Sequence, residues 1–413
     1  MMSRRSLLLA PAVLVRPQAV QAQSPPARFT RGLGVHHMMN WPKYDANTGQ
    51  YEFPPFEGDQ FKLLDSEVAC IRDTGFEFVR LTVAPGIFLQ SNGTRFEELI
   101  FILEKNLDKF LNAGLKVLVD FHPTDQVREY SRINLIREPQ GALFQRYIDV
   151  IGIVAQKLGQ YRSGDVGLEL MNEPALEDAG LWQELLRKLY IAARMKAPNL
   201  PLIMTGCLYG SWRGLIQLDL APFLSDTNLL YAFTFYEPFI FSHQGVRDER
   251  YFRDIRWPAS LLNLRKAQAN ASSLVDADTS LNILERQKER IRVTYQLQRY
   301  VQSASGPQTL HDTFDKVSKW AKTILPQQIL ITEFGAVRTY GSYQGAPEED
   351  RFDWLSTVRL EAERRGWGWA LWAYSGPSSM TFAGDGRTKS LDSTSVRALG
   401  LKAGCMQHGG AVH

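Results

Sequence analysis

Short runs of β-branched and apolar residues alternate along this chain with longer stretches whose apolar positions recur every three or four residues. That βαβα pattern predicts a parallel sheet with helices packed outside it. Eight runs fit strands: Gly32–Val35, Phe76–Val83, Leu115–Phe121, Val166–Met171, Leu202–Thr205, Leu229–Tyr236, Ile329–Thr332 and Trp367–Ala373. Between them, Leu64, Val68 and Ile71 share one helical face before Gly75, and Leu99, Leu103, Leu107 and Phe110 share another before Gly114. A glycine just ahead of the next strand, as also at Gly366, suits the left-handed residue that closes a helix. Eight such units predict the α/β class and a single (β/α)8 TIM barrel, with a doubly wound open sheet as the alternative that strand counting leaves standing.

One connection departs from the rhythm. Roughly ninety residues separate the sixth and seventh runs, whereas βα loops are typically about 2–6 residues. A long insertion over about 240–325 is expected, with a helix over Leu281–Val301 and a polar, turn-rich stretch from Ala269 to Thr279. A connection that follows a barrel strand emerges on the C-terminal face, so this one either walls a site there or is a peripheral ornament.

The first residues read as an export signal. Ser3-Arg4-Arg5-Ser6 precedes an apolar stretch from Leu7 to Val15, and Val20-Gln21-Ala22 offers small residues for cleavage. Residues 1–22 are therefore expected to be removed, by the Sec or the twin-arginine route, leaving a barrel over 23–413 in the periplasm or outside the cell. Nine apolar residues are too few to span a bilayer, so no membrane contact is expected after cleavage. Arg4, Arg5 and Arg16 account for the whole formal charge of +3, and the neutral remainder gives no sign of a nucleic-acid partner. Cys70, Cys207 and Cys405 are odd in number and far apart, which indicates neither a disulfide framework nor a zinc site. The chain is expected to act as a monomer stabilised by its core.

Two glutamates end predicted strands: Glu173 in Leu170-Met171-Asn172-Glu173-Pro174 and Glu333 in Ile331-Thr332-Glu333-Phe334-Gly335. In a parallel barrel all strand C-termini open on one rim, so both carboxylates can face one cleft despite their separation in sequence. Cleavage of a glycosidic bond needs such a pair. One carboxyl protonates the leaving oxygen, and in retaining enzymes the other attacks the anomeric carbon from about 5–5.5 Å away. The acid must hold its proton near neutrality while the nucleophile stays ionised beside donors and cations, and Arg80 in Val79-Arg80-Leu81 is an available cation. The plain alternative for either glutamate is a solvated loop charge or an ion-pair partner.

With these residues in strand order, the sequence resembles glycoside hydrolase family 5, the cellulase-type family of retaining barrels, over essentially the whole chain after the signal. The resemblance maps the family's active-site arginine onto Arg80, its histidine onto His122 in Val119-Asp120-Phe121-His122, and its Asn-Glu-Pro onto Asn172, Glu173 and Pro174. It further maps the strand-six tyrosine onto Tyr236, the second glutamate onto Glu333 and the strand-eight tryptophan onto Trp372. It implies Glu173 as general acid/base, Glu333 as nucleophile held anionic by Arg80 and Tyr236, Asn172 on the sugar 2-hydroxyl, and Trp372 as a face for the sugar. The residues themselves leave other readings open: Arg80 as an ion-pair partner of Glu169, Tyr236 and Trp372 as packing aromatics, and His122 as a satisfied core histidine. One position departs from the family. Thr234 stands two residues before Tyr236 where a histidine is usual, and threonine neither carries charge nor titrates near pH 7. His243, in the following loop, is a possible substitute imidazole.

Other rim residues are less committed. Glu237 is a third carboxylate, expected to be structural or substrate-contacting, and Asp120 and Glu169 are expected in polar networks inside the barrel. His36 and His37 either border a sugar subsite or are satisfied loop histidines. With His122 they lack any zinc-hydrolase spacing, so no metal and no cofactor is expected. Trp41, Trp212 and Tyr374 follow strands one, five and eight, where aromatic faces can stack on sugars or simply pack. The resemblance implies an endo-β-1,4-glucanase acting on a β-linked polysaccharide or oligosaccharide. A β-1,3-glucanase or β-mannanase is the alternative on the same fold, and a non-catalytic carbohydrate-binding barrel is the alternative from another class.

Overall fold

The computed structural model describes residues 28–341, 343–375, 380–383 and 391–403. The expected export signal, residues 1–22, lies outside them. Among the described residues ten strands occur in chain order: β1 Arg31–Met39, β2 Tyr44–Asp45, β3 Gln50–Tyr51, β4 Phe78–Val83, β5 Lys116–Phe121, β6 Val166–Glu169, β7 Leu202–Thr205, β8 Leu229–Phe235, β9 Ile329–Phe334 and β10 Gly368–Leu371. β2 and β3 form a small antiparallel hairpin, and the other eight close into a parallel barrel in the order β1-β10-β9-β8-β7-β6-β5-β4. The eight predicted runs are these eight strands, and the open-sheet alternative falls away because β1 pairs with both β4 and β10.

Period-two alternation stacks the barrel interior in layers. Phe78, Leu118, Ile203, Leu230, Ala232, Leu330 and Ala370 join Phe29 in an apolar plug at the base. The rings of Phe78 and Phe29 fit because Gly32 and Gly368 carry no Cβ: one built on Gly32 would lie 2.2 Å from Phe78, and one on Gly368 would lie 1.9 Å from the Phe29 carbonyl. Two residues further along each strand, Phe78 gives way to Arg80, Leu118 to Asp120 and Gly167 to Glu169, all fully buried. A polar layer thus sits on an apolar plug and beneath the rim.

Two bulges break the alternation where the rim begins. Phe233 and Thr234 on β8 face Ile331 and Glu333 on β9, leaving Thr332 as an extra residue, and the β9–β10 register slips in the same place. Strict alternation from Leu330 would send residue 332 inward. The extra residue instead turns Glu333 inward and lets Phe334 pack outward against Trp354 and Trp369. β1 bulges between Val35 and Met39, the segment that carries His36.

Between β8 and β9 the chain forms helices Leu264–Ala277, Ile283–Gln302 and Pro307–Trp320. The second matches its expected helix. The first corrects the turn-rich reading of Ala269–Thr279: Ala267, Ala271 and Val275, spaced by four, bury one face against the neighbouring helix, and alanine's high helix propensity outweighs the intervening serines and asparagine. No helix among the described residues is long and apolar enough to cross a membrane. The cysteine expectation also needs correcting, since Cys70 is in a disulfide while Cys207 is free and buried. Spacing along the sequence says nothing about pairs brought together by the barrel.

Candidate active site

Arg80 stands at the centre of the polar layer beneath the rim. From β4 its Nε and Nη2 donate to Glu169 at 2.7 and 3.1 Å, Nη1 donates to Glu333 Oε1 at 2.6 Å, and Nη2 also donates to Asn172 Oδ1 at 2.8 Å and lies 2.9 Å from Asp120. One side chain makes both the ion pair with Glu169 and the contact with Glu333, because a guanidinium has five donors in a rigid fork. Three buried carboxylates around one cation cannot all be comfortably ionised. Burial, partly offset by Arg80 and reinforced by neighbouring negative charge, pushes Asp120 up to about 7 and Glu169 up to about 8.

Glu333 accepts from Arg80 on one oxygen and from the Tyr236 hydroxyl on the other, at 2.8 Å. Tyr236 reaches it because residues 230, 232, 234 and 236 alternate to the same side of β8 and its continuation. Asp120 Oδ2 holds His122 Nδ1 at 2.8 Å, and the Asn172 amide approaches His122 Nε2 at 3.4 Å, which places the ring proton on Nδ1. Burial, with Arg80 and Arg132 nearby, lowers His122 to about 3, so it is neutral. The Trp372 ring is stacked with His36, 5.1 Å away, and with His122, 5.6 Å away, nearly parallel to both. Asp120, His122 and Glu333 have donor atoms close enough together to suggest a metal. Those donors are already turned on one another and on Arg80, so the arrangement reads as a hydrogen-bonded chain ending on a cation.

Glu173 is differently made. It lies beyond the end of β6 at φ 41°, a left-handed conformation uncommon for a side chain-bearing residue. The loop after β7 braces it: Leu208 and Tyr209 N–H groups bond the carbonyls of Leu176 and Pro174 at 2.8 and 3.1 Å. A Cβ on Gly210 would sit 3.4 Å from the Glu173 Cα. Its carboxylate accepts from Arg132 at 3.0 Å. Burial first, then the negative charge of Glu333, pushes it up to about 7 against the pull of Arg132 and Arg80.

These groups open into a cleft of about 1140 Å³ whose lining includes His36, Trp41, His122, Glu173, Tyr236, Glu333 and Trp372. Trp41 is 42% exposed there. Trp212 is not among the lining residues: it is 6% exposed, its Nε1 donates to Glu237, and Arg213 and Lys316 stack on its ring. Tyr374 is likewise buried, with its hydroxyl on Glu67. An aromatic after a strand packs downward when a helix or loop lies below it, and sequence does not show which way it turns. Glu237 is held by Arg213 and Trp212, a structural place. Sequence reading passed over Arg132, Phe239, Arg247 and Arg250, all of which line the cleft. Arg132 and the arginines after Gly245 carry no strand-end signal, and Phe239 stands out only as an apolar residue in a predicted rim loop.

Residues 44–378 match the cellulase family, glycosyl hydrolase family 5, and the chain belongs to that family. Among curated proteins it is similar to Endoglucanase 3 of Fibrobacter succinogenes, 23% identical over 338 residues, which cover 78% of this chain and 47% of that protein. It is also similar to Cellodextrinase A of Ruminococcus flavefaciens, 26% identical over 44% of this chain and 54% of that protein. The matches thus span about half the length of these relatives. Among solved structures, the cellulose synthase subunit Z of Clostridioides difficile shares the fold with a TM-score of 0.65 at 20% identity, covering 90% of this chain and 99% of that one. Thermotoga maritima Cel5A, solved with mannotriose, superposes with a TM-score of 0.62 at 19% identity over 90% of this chain and 97% of that one.

Proposed function

We propose that this protein is a retaining endo-β-glycanase, acting on a β-1,4-glucan, with Glu173 as general acid/base and Glu333 as nucleophile. The observation that carries the reading is the unequal pair of carboxylates at one cleft. Glu333 accepts from Arg80 on one oxygen and from Tyr236 on the other, donors that suit a nucleophilic carboxylate. Glu173, desolvated and facing that negative charge, is held up to about 7 and keeps a proton to deliver near neutrality.

The reaction then follows. Glu333 Oε attacks the anomeric carbon while the Glu173 proton passes to the departing glycosidic oxygen, giving a glycosyl ester on Glu333. Ionised Glu173 next takes a proton from water, whose oxygen attacks the same carbon and releases Glu333, with net retention. Asn172 Oδ1 is fixed by Arg80, which leaves its amide NH2 for His122 and for the sugar 2-hydroxyl. Trp372, steadied by its contacts with His36 and His122, lines the cleft beside the same sugar. Cleavage inside a polymer is supported by the long cleft and by exposed Trp41, Tyr44 and Phe239 along it. The glucan and its linkage rest on relatives that are named endoglucanases and a cellodextrinase. The same catalytic set serves β-1,3-glucan or β-mannan as well. Export and monomeric action are proposed with this reading, on the N-terminal sequence and the closed single barrel.

Reducing-sugar release from carboxymethyl-cellulose, mixed-linkage glucan, laminarin, mannan and xyloglucan, by wild type and Glu333→Gln, tests this directly. Cleavage of the β-1,4-glucans that vanishes in the variant is expected. Binding without turnover by the wild type would favour a carbohydrate-binding barrel instead.

A further inference from the structure

The insertion after β8 does more than cover the barrel: its segment from Phe239 to Arg250 forms one wall of the cleft. Arg247 and Arg250 both line that wall, on successive turns of one loop. Arg247 is exposed, sits at φ 50°, and has no ion-pair partner among the described residues. The turn that presents it is locked by backbone bonds from Gly245 to the Glu249 carbonyl at 3.0 Å and from Arg250 to the Arg247 carbonyl at 3.2 Å. Arg250 lies over the Tyr251 ring at 4.5 Å and donates to the Tyr251 hydroxyl at 2.9 Å, contacts that hold its fork in place. Its nearest carboxylate, Asp278, is 3.9 Å away and already accepts from Ser280 and from the Tyr251 hydroxyl.

The carboxylates that share the cleft do not balance these cations. Glu333 and Glu173 are engaged by Arg80 and Arg132, and Asp125 lies near Arg132. Of the two acids inside the same turn, Glu249 is directed to Arg292 at 3.8 Å and Asp248 is exposed. Arg247 therefore faces the open cleft without an ion-pair partner among the described residues, and Arg250 has only the loose contact with Asp278. Phe239, 52% exposed, lies on the same wall, and Trp41 and Tyr44 are exposed elsewhere in the cleft. Aromatic faces suit the sugar rings of a chain, and planar forks suit carboxylates bidentately.

From this juxtaposition we infer that the insertion wall is a subsite for a carboxylate carried by the glycan, either on a uronic sugar or on an acidic substituent, so that the preferred polymer is anionic. This rests on the glycanase reading and narrows its substrate class.

Carboxymethyl-cellulose and hydroxyethyl-cellulose of matched substitution share a backbone and differ in charge. The wild type is expected to favour the charged polymer in kcat/KM, and Arg247→Gln/Arg250→Gln to lose about tenfold of that preference, the equivalent of one charge-assisted contact. Arg247→Lys/Arg250→Lys is expected to restore part of it, and about 1 M salt, where screening acts within about 3 Å, to erase it in the wild type. Retention of Glu333→Gln protein, with and without the two glutamine changes, in gels containing each polymer reads the same subsite without catalysis. Retention no stronger in the charged gel, including none in either, or a preference untouched by the double variant, overturns the inference. Charge-dependent retention without any cleavage by the wild type would overturn the glycanase reading alone.

Discussion

Arg80, on the floor of the cleft, divides its guanidinium among Glu169, Asp120, Asn172 and Glu333, while Arg247, on the insertion wall, faces open space. The floor is carried by strands and buried, with its carboxylates gathered on one cation; the wall is carried by a loop after a strand and is exposed, with Arg247 outside any ion pair among the described residues. Glu173 lies between the two, on a loop braced by another loop and tied to a single cation. The contrast separates two tasks. Groups that must hold one geometry through bond breaking are set by strand register, and groups that select what enters are set by a segment free to vary without disturbing the barrel.

The largest effects are expected on the floor. Glu333→Gln should lower kcat on any cleaved polymer by roughly ten-thousand-fold, read by reducing-sugar release, and near-normal turnover would remove Glu333 from the chemistry. Glu173→Gln should cost roughly a hundred- to ten-thousand-fold on the polymer, and far less on an aryl glycoside whose leaving group needs no proton. Equal losses on both would contradict its role as acid. Arg80→Met leaves Asp120, Glu169 and Glu333 without their common cation, and should destabilise the fold by about 3–5 kcal/mol as well as abolish activity, read by thermal denaturation.

Effects shrink towards the wall. With Glu173 held up to about 7, kcat/KM should fall as pH rises through that value, because the acid form is lost. Arg132 opposes that elevation, so Arg132→Ala should carry the basic limb to higher pH; a limb that stays put, or moves down, would show that Glu173 does not set it. His243 lies edge-on to Tyr236 at 5.1 Å and lines the cleft, the place expected of a substitute for the histidine missing at Thr234. Burial and Arg247 lower it to about 4, so it is neutral wherever Glu173 titrates. Ser242 donates to the Tyr236 carbonyl and therefore accepts from His243 Nδ1, leaving Nε2 as an acceptor. His243→Asn should alter KM and leave the basic limb in place.

The strand layout was legible because a two-residue period ending at a glycine-closed helix leaves few other packings; Glu173, Glu333 and His122 were legible because they fall just past the ends of those runs, and Arg80 because it is a charge in the middle of one. The inward turn of Glu333 was not: it depends on the extra residue at Thr332, and a bulge has no signature in composition. Trp212 and Tyr374 looked like cleft aromatics by position and are packed, since a rim aromatic's direction is set by what lies beneath it. The arginines at 247 and 250 stayed hidden for the opposite reason. They sit in a polar stretch without period, where only the folded path of the insertion brings them to the cleft.

Retention of configuration is the account's central claim, and proton NMR of the first reducing ends released from a cleaved oligosaccharide reads it most directly. A β-anomer that appears first and then mutarotates is the predicted result. An α-anomer appearing first would mean that water attacks directly, and Glu333 would then be a general base rather than a nucleophile.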